Sequence, residues 1–195
     1  MKKRKIPLLP VLGICLILAS ALLVLIFQTR IHRGAQHSQK ILSRMEQLLP
    51  ERTPGVPGIY PASGMPVLEL ENVDYVAMLE VPAFGFALPV TDHWDSIKLS
   101  HSPSRFFGSA YDNTLIIGGA DDPRQFGFCD KIELGAQITV TDMTGAHFTY
   151  TVSGADRAKH AEPQWLMDAE CDLTLFCRDI YSMEYIAVRC VFCSE

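Results

Sequence analysis

Few side chains in this 195-residue chain could carry covalent chemistry. Six are cysteines: Cys15, Cys129, Cys171, Cys177, Cys190 and Cys193. Cysteine reacts as the thiolate, and it needs an acid–base partner and a positive neighbour to do acyl chemistry. His93, His101, His147 and His160 are the candidate acids, and Arg124 and Arg178 are candidate sources of positive charge. Cys190-Val-Phe-Cys193 has C-x-x-C spacing, but a zinc site wants two further ligands, and residues three apart on a strand face opposite sides. Asp121, Asp122 and Asp130 lack the spacing of a calcium loop. No glycine-rich phosphate loop, zinc motif or serine-triad motif is present, so neither a metal nor a cofactor is expected.

The elements that would carry these residues follow an apolar N-terminus. Ile6 to Phe27 contains no charged residue, and at about 1.5 Å per residue such a run can cross a hydrocarbon core of roughly 30 Å. Ala19-Ser20-Ala21 has the small-x-small form of a signal-peptidase site, but the apolar run continues through Leu22 to Phe27, which favours an uncleaved anchor. Lys2, Lys3, Arg4 and Lys5 mark residues 1–5 as a cytoplasmic tail. Residues 6–27 are then a transmembrane anchor, with the C-terminal domain outside the cell membrane. Residues 28–49 read as a juxtamembrane helix, because Ile41, Leu42, Met45, Leu48 and Leu49 share one face. Pro50, Pro54, Pro57, Pro61 and Pro66 make residues 50–68 a semi-extended linker, and the folded domain spans 69–195.

Charge narrows the partners. The chain has 17 Lys and Arg against 22 Asp and Glu; six of the bases and none of the acids lie in the first 33 residues, so the remainder carries 11 bases against 22 acids. That acidic balance argues against nucleic acid and anionic lipid. Five cysteines outside the apolar run are an odd number, so at least one is free or pairs between chains.

The domain itself reads as mostly β. Tyr75–Val81, Phe84–Val90, Thr114–Ile117, Gln137–Asp142, His147–Val152, Asp172–Cys177 and Tyr185–Phe192 are strand-like, and the two runs around the Thr-Gly turn form a hairpin. Short helices fit His93–Leu99 and Glu162–Asp168. Many short strands with dense turns in about 125 residues imply a closed barrel of about seven to eight strands.

Several segments in order carry a family resemblance: Asp74-Tyr-Val-Ala-Met-Leu-Glu-Val-Pro82, Leu88-Pro-Val90, Ser104-Arg-Phe-Phe-Gly-Ser109, Asn113-Thr-Leu-Ile-Ile-Gly118, Phe126-Gly127, Asp130-Lys-Ile-Glu-Leu-Gly135, Asp172-Leu-Thr-Leu-Phe176 and Ala187-Val-Arg-Cys190. Through most of residues 74–192 the chain resembles the sortases, the membrane-anchored cysteine transpeptidases of Gram-positive bacteria, among them the clostridial-type, class B/D-like members. The resemblance implies a thiolate that cleaves a sorting signal of the Leu-Pro-x-Thr-Gly type, a histidine as general acid and an arginine at the oxyanion. At those three positions this chain has Gly119, Arg178 and Tyr185, and Arg189 matches a second, non-catalytic arginine. Loss of the acid costs roughly 10²–10⁴ in rate and loss of an oxyanion donor roughly 10²–10³. The expectation is a degenerate sortase that binds a sorting-signal-like peptide or a surface protein precursor. The alternative is an active transpeptidase using Cys177 with a relocated acid, which needs strand register shifted by one residue.

Overall fold

The computed structural model describes residues 8–60, 64–95, 102–167 and 170–193, and within helix α1, Leu8–Leu48, it leaves the side chains of 8–12, 15 and 26–35 undescribed. The chain divides into two compact units, residues 1–37 and 38–195.

The first unit is the N-terminal part of α1. Helix continues without a break through residue 28, where the juxtamembrane helix was expected to start. Pro10 sits in the first turn, where a missing N–H costs nothing, and the interior Gly34 weakens a helix without ending it. Leu16, Ile17, Leu18, Leu22, Leu23, Val24 and Leu25 are exposed. Among the described residues no helix is long and apolar enough to cross a membrane. The tail 1–5 and the start of the expected anchor, Ile6 and Pro7, lie outside the described residues.

The second unit is built on ten strands: β1 (Thr53–Pro54), β2 (Leu68–Leu70), β3 (Val73–Val81), β4 (Phe86–Thr91), β5 (Ser104–Phe107), β6 (Leu115–Gly118), β7 (Gln137–Asp142), β8 (Ala146–Ala158), β9 (Leu173–Arg178) and β10 (Tyr185–Phe192). Eight of them close a ring in the order β8, β10, β9, β6, β5, β4, β3, β7 and back to β8. The expected mostly β, closed barrel is therefore present, with β1 and β2 added outside the ring. Pairing is antiparallel except at β4–β5, β6–β9 and the short β1–β8 contact. Alternate residues of the ring fill one interior, among them Leu79, Leu115, Ile117, Ile138, Phe148, Tyr150, Leu173, Leu175 and Val188.

β3 is buried on both faces. A bulge between Tyr75 and Ala77 breaks the alternation, and Tyr75 and Met78 face outward under Ile41, Leu42 and Met45 of α1. The β2–β3 turn reinforces this contact. Glu71 and Asn72 both take positive φ, 53° and 63°, as a two-residue type I′ hairpin requires, and the Glu71 carboxylate meets Lys40 Nζ and Arg44 Nη1, each at 2.8 Å.

The proline-rich segment lies against the barrel instead of spanning free. Gly55 N–H donates to the His147 carbonyl at 2.8 Å, and a Cβ at Gly55 would come within 2.6 Å of the Phe148 ring. Tyr60 stacks on Tyr111 with ring centroids 4.1 Å apart. Residues 61–63 of this segment lie outside the described residues. The expected helix Glu162–Asp168 is a single turn, α2 (Pro163–Leu166), and its end at 168 is not described. Residues 92–95 are not helical, and 96–101 lie outside the described residues.

Candidate functional site

Gly119, Arg178 and Tyr185 lie at one end of the β6–β9–β10 sheet. Gly118 pairs with Phe176 in the parallel β6–β9 ladder, and Gly119 N–H donates to the Phe176 carbonyl at 2.9 Å. Two residues further on, Arg178 pairs with Tyr185 across β9 and β10. Neither ladder contains a register shift at this end, so the strand period of two fixes which side each side chain takes.

On β9, Leu173, Leu175 and Cys177 point into the barrel, while Phe176 belongs to an outer cluster with Ile116, Leu166 and Ala187. Arg178 follows Phe176 on the outer side and is exposed. Its guanidinium carbon lies 5.7 Å from the Tyr185 ring centroid, and its Nε–H donates to the Met183 carbonyl at 3.4 Å. Cys177 is 2% exposed, and its thiol donates to the Phe126 carbonyl at 3.6 Å.

Phe126 closes the barrel under these residues. The connection after β6 turns back on itself: Phe126 N–H donates to the Ala120 carbonyl at 3.0 Å, and Gly127 N–H donates to the Asp122 carbonyl at 3.0 Å. This drives the Phe126 ring fully into the core. A Cβ at Gly119 would fall 2.6 Å from Phe126 Cγ, so a larger residue there requires the ring to move. Cys129 N–H also donates to the Phe126 carbonyl, at 3.0 Å. Burial foremost, and next the interaction of its own S–H with Cys177, push the Cys129 thiol well above its usual range.

Outside, the same strand end is covered by aromatic rings. Trp94 stacks on Phe176 at 5.4 Å and meets Phe106 edge-on at 5.1 Å, and a Cβ on Gly118 would run into the Trp94 ring. Beside them an open depression of about 500 Å³ is lined by Asp92, His93, Trp94, Arg105 and Phe106 among others. Asp92 is ion-paired with Arg105.

Similar solved structures can be set beside this geometry. Sortase C1 from Streptococcus agalactiae superposes with a TM-score of 0.56 and 19% identity over 65% of this chain and 72% of its own. Sortase A from Corynebacterium diphtheriae gives 0.54 and 18%, over 63% of this chain and 62% of its own. Sortase C from Clostridium perfringens SM101 gives 0.50 and 17%, over 64% and 74%. The barrel has the sortase fold. The chain spans less than two thirds of the Corynebacterium protein. No family model matches the sequence, and no curated relative matches it.

At the end of β9, Arg178 faces outward and Cys177 beside it faces inward. The candidate acids are dispersed. His93 Nδ1 pairs with Asp92 at 2.8 Å and the ring is 81% exposed. Through β10, Cys177 lies level with Arg157 of β8, and His147 is ten residues from that point, roughly 33 Å along an extended strand. His160 is exposed, and His101 lies outside the described residues. Among the described residues no histidine hydrogen-bonds Cys177.

Of the other acids and cysteines noted in the sequence, the side chains of Asp121, Asp122 and Cys193 have partners. Asp121 accepts from Ile180 N–H at 3.1 Å, Asp122 pairs with Arg124 at 2.9 Å, and Asp130 is exposed. Cys190 is buried in the core, where burial pushes its thiol well up, and Cys193 Sγ lies 2.8 Å from Thr151 Oγ1.

Two residues take structural roles that their motifs do not specify. Phe126 figured only as part of a matching segment, and nothing in its spacing marks it as the plug. Arg189 is 4% exposed and holds α2 over the outer sheet face: its Nη1 donates to the Leu166 carbonyl at 3.0 Å and to Thr174 Oγ1 at 3.2 Å, and its Nε donates to Asp156 at 3.1 Å. Its guanidinium also packs 5.2 Å from the Trp165 ring centroid. The basic residue in an otherwise apolar strand was the available signal.

Proposed function

We propose that this chain is a membrane-anchored, catalytically degenerate sortase-like protein of the Gram-positive cell surface, holding a sorting-signal-like peptide or surface protein precursor without cleaving it. One observation carries the reading: at the strand end where sortase chemistry would need an outward thiol, Arg178 faces out against Tyr185, while Cys177 is inside the barrel and bonded to the Phe126 carbonyl. A buried thiol with a backbone acceptor and no histidine partner lacks the activation that nucleophilic catalysis requires.

The binding part of the proposal is supported by the outer face. Trp94, Phe106 and Phe176 form an aromatic floor beside the open depression, and such a surface offers apolar contact to an extended peptide. The apolar run Ile6–Phe27 supports the membrane anchor. Active transpeptidation through Cys177 would require an exposed thiol, and the 2% exposure of Cys177 does not favour it.

The test is a panel of sorting-signal peptides incubated with the full chain in detergent micelles. The expected result is saturable binding by fluorescence anisotropy with every peptide recovered intact by mass spectrometry. Cleavage that disappears in Cys177→Ala would overturn the proposal, and absence of binding across the panel would remove its peptide-holding part.

A further inference from the structure

Two thiols in the barrel have no role in the function proposed above, and they are neighbours. Cys129 and Cys177 come from segments 48 positions apart in the sequence, yet Cys129 N–H and Cys177 Sγ reach the same acceptor, the Phe126 carbonyl, at 3.0 and 3.6 Å. Both side chains are 2% exposed and belong to the same core cluster. Each is a free thiol. Cys129 sits in the return of the loop that carries Phe126, and Cys177 sits at the end of β9, one residue before Arg178.

We infer that Cys129 and Cys177 are a redox pair, convertible to an intramolecular disulfide that ties the Phe126 loop to the end of β9. The extracytoplasmic location that favours oxidation is part of the function proposed above. The pairing itself rests only on the positions of the two residues.

The chemistry is thiol–disulfide exchange with a small-molecule disulfide or the disulfide of an oxidoreductase. One cysteine, as its thiolate, attacks a sulfur of the oxidant, breaking its S–S bond and releasing one thiol. The second cysteine then attacks the mixed disulfide and releases the other. Two protein thiols lose two electrons and two protons, and the oxidant's disulfide becomes two thiols.

Burial sets the kinetics. In the closed barrel neither sulfur is reachable, and the raised Cys129 thiol is a poor source of thiolate. Exchange must therefore follow opening of the Ala120–Ile132 loop, or occur while the chain folds. Once formed, the bond closes a long loop and restricts the unfolded chain. The Phe126 plug beneath Gly119 is then fixed in place, and with it the floor under Arg178 and Tyr185.

The experiment uses the full chain in detergent micelles, refolded with oxidised glutathione and compared with a dithiothreitol-treated sample. Free thiols are alkylated in denaturant, and the protein is digested and mapped without reduction. The expected result is a linked Cys129–Cys177 peptide pair, absent after reduction, with Tm higher in the oxidised sample by on the order of 10 °C. In Cys129→Ser the linked pair disappears and Cys177 is recovered alkylated; Cys129→Ala, checked by circular dichroism, repeats the result if the serine variant folds poorly. Recovery of both residues as free thiols after oxidative refolding overturns the inference, as does a linkage of Cys177 to any other cysteine. Peptide binding and cleavage are not read in this experiment, so its failure would leave the proposed function standing.

Discussion

Arg178 and Tyr185 face each other across β9 and β10, with the guanidinium carbon 5.7 Å from the ring centroid. The pair sets a cation on an aromatic face, an arrangement suited to contact.

Arg178→Cys tests the side that each residue takes. The new thiol should react within seconds with a water-soluble disulfide reagent, while Cys177 in the same protein stays protected until denaturant is added. Stability should change by no more than about 1 kcal/mol, the value of an exposed cation–π contact. Fast labelling of Cys177 in the parent protein would contradict the inward placement.

Restoring a histidine at residue 119 should fail structurally before it can succeed chemically. Because Phe126 Cγ lies 2.6 Å from a Cβ at Gly119, Gly119→His should lower stability by about 1–3 kcal/mol through overpacking. The cost should shrink when combined with Phe126→Ala, relative to the sum of the two single changes. Strict additivity in urea denaturation would show that the two sites do not compete for space.

The helix end belongs to the barrel's energetics. Ile41 and Met45 are fully buried against Tyr75 and Met78, so Ile41→Ala or Met45→Ala should each cost about 2–5 kcal/mol. Leu48→Ala, at a side chain 60% exposed, should stay within about 0.5 kcal/mol. A domain begun at Glu69 would leave Tyr75 and Met78 uncovered and should aggregate, where one begun at Ser38 should not; light scattering of the two distinguishes them.

Asp179 makes the β9–β10 turn sensitive to acid. Its carboxylate accepts from Tyr181 N–H at 2.8 Å and Ser182 N–H at 3.2 Å, and these bonds, that to Tyr181 foremost, hold its pKa down to about 2. A depressed carboxyl contributes stability that is present above its unfolded pKa of about 3.9 and is lost as pH falls towards about 2. The Tyr181 and Ser182 amide resonances should therefore shift between pH 4 and pH 2, and Asp179→Asn should remove that dependence. Unchanged amides over the window would show that the carboxylate does not hold the turn.

Arg189 should behave as an anchor for α2. Arg189→Met leaves the Leu166 carbonyl and Thr174 without their donor and should cost about 1.5–3 kcal/mol. Trp165, losing the guanidinium on its face, should change its fluorescence. Retained stability with an unchanged tryptophan spectrum would remove the anchoring role.

The barrel was legible in the strand pattern. Alternating runs such as His147–Val152 turn one side inward, and many such short strands in a short span favour a closed ring, as the eight-stranded one is. Gly119, Arg178 and Tyr185, distant in the chain, lie at one sheet end. Strand parity placed Arg178 and Cys177 on opposite sides before any contact was known.

What surrounds them came from long-range packing. Proline content made residues 50–68 read as a spacer, but backbone groups of Thr53 and Gly55 find partners on β8, and composition carries no record of such long-range bonds. The apolar face at Ile41, Leu42 and Met45 showed that something covers it, and the bulge in β3 decided that Tyr75 and Met78 do. Phe126 filling the space at Gly119, and Cys129 meeting Cys177 at one carbonyl, depend on how a loop folds back into the barrel. Local pattern reports which side chains are apolar and which way a strand turns them; it does not report which distant side chain arrives to occupy the space.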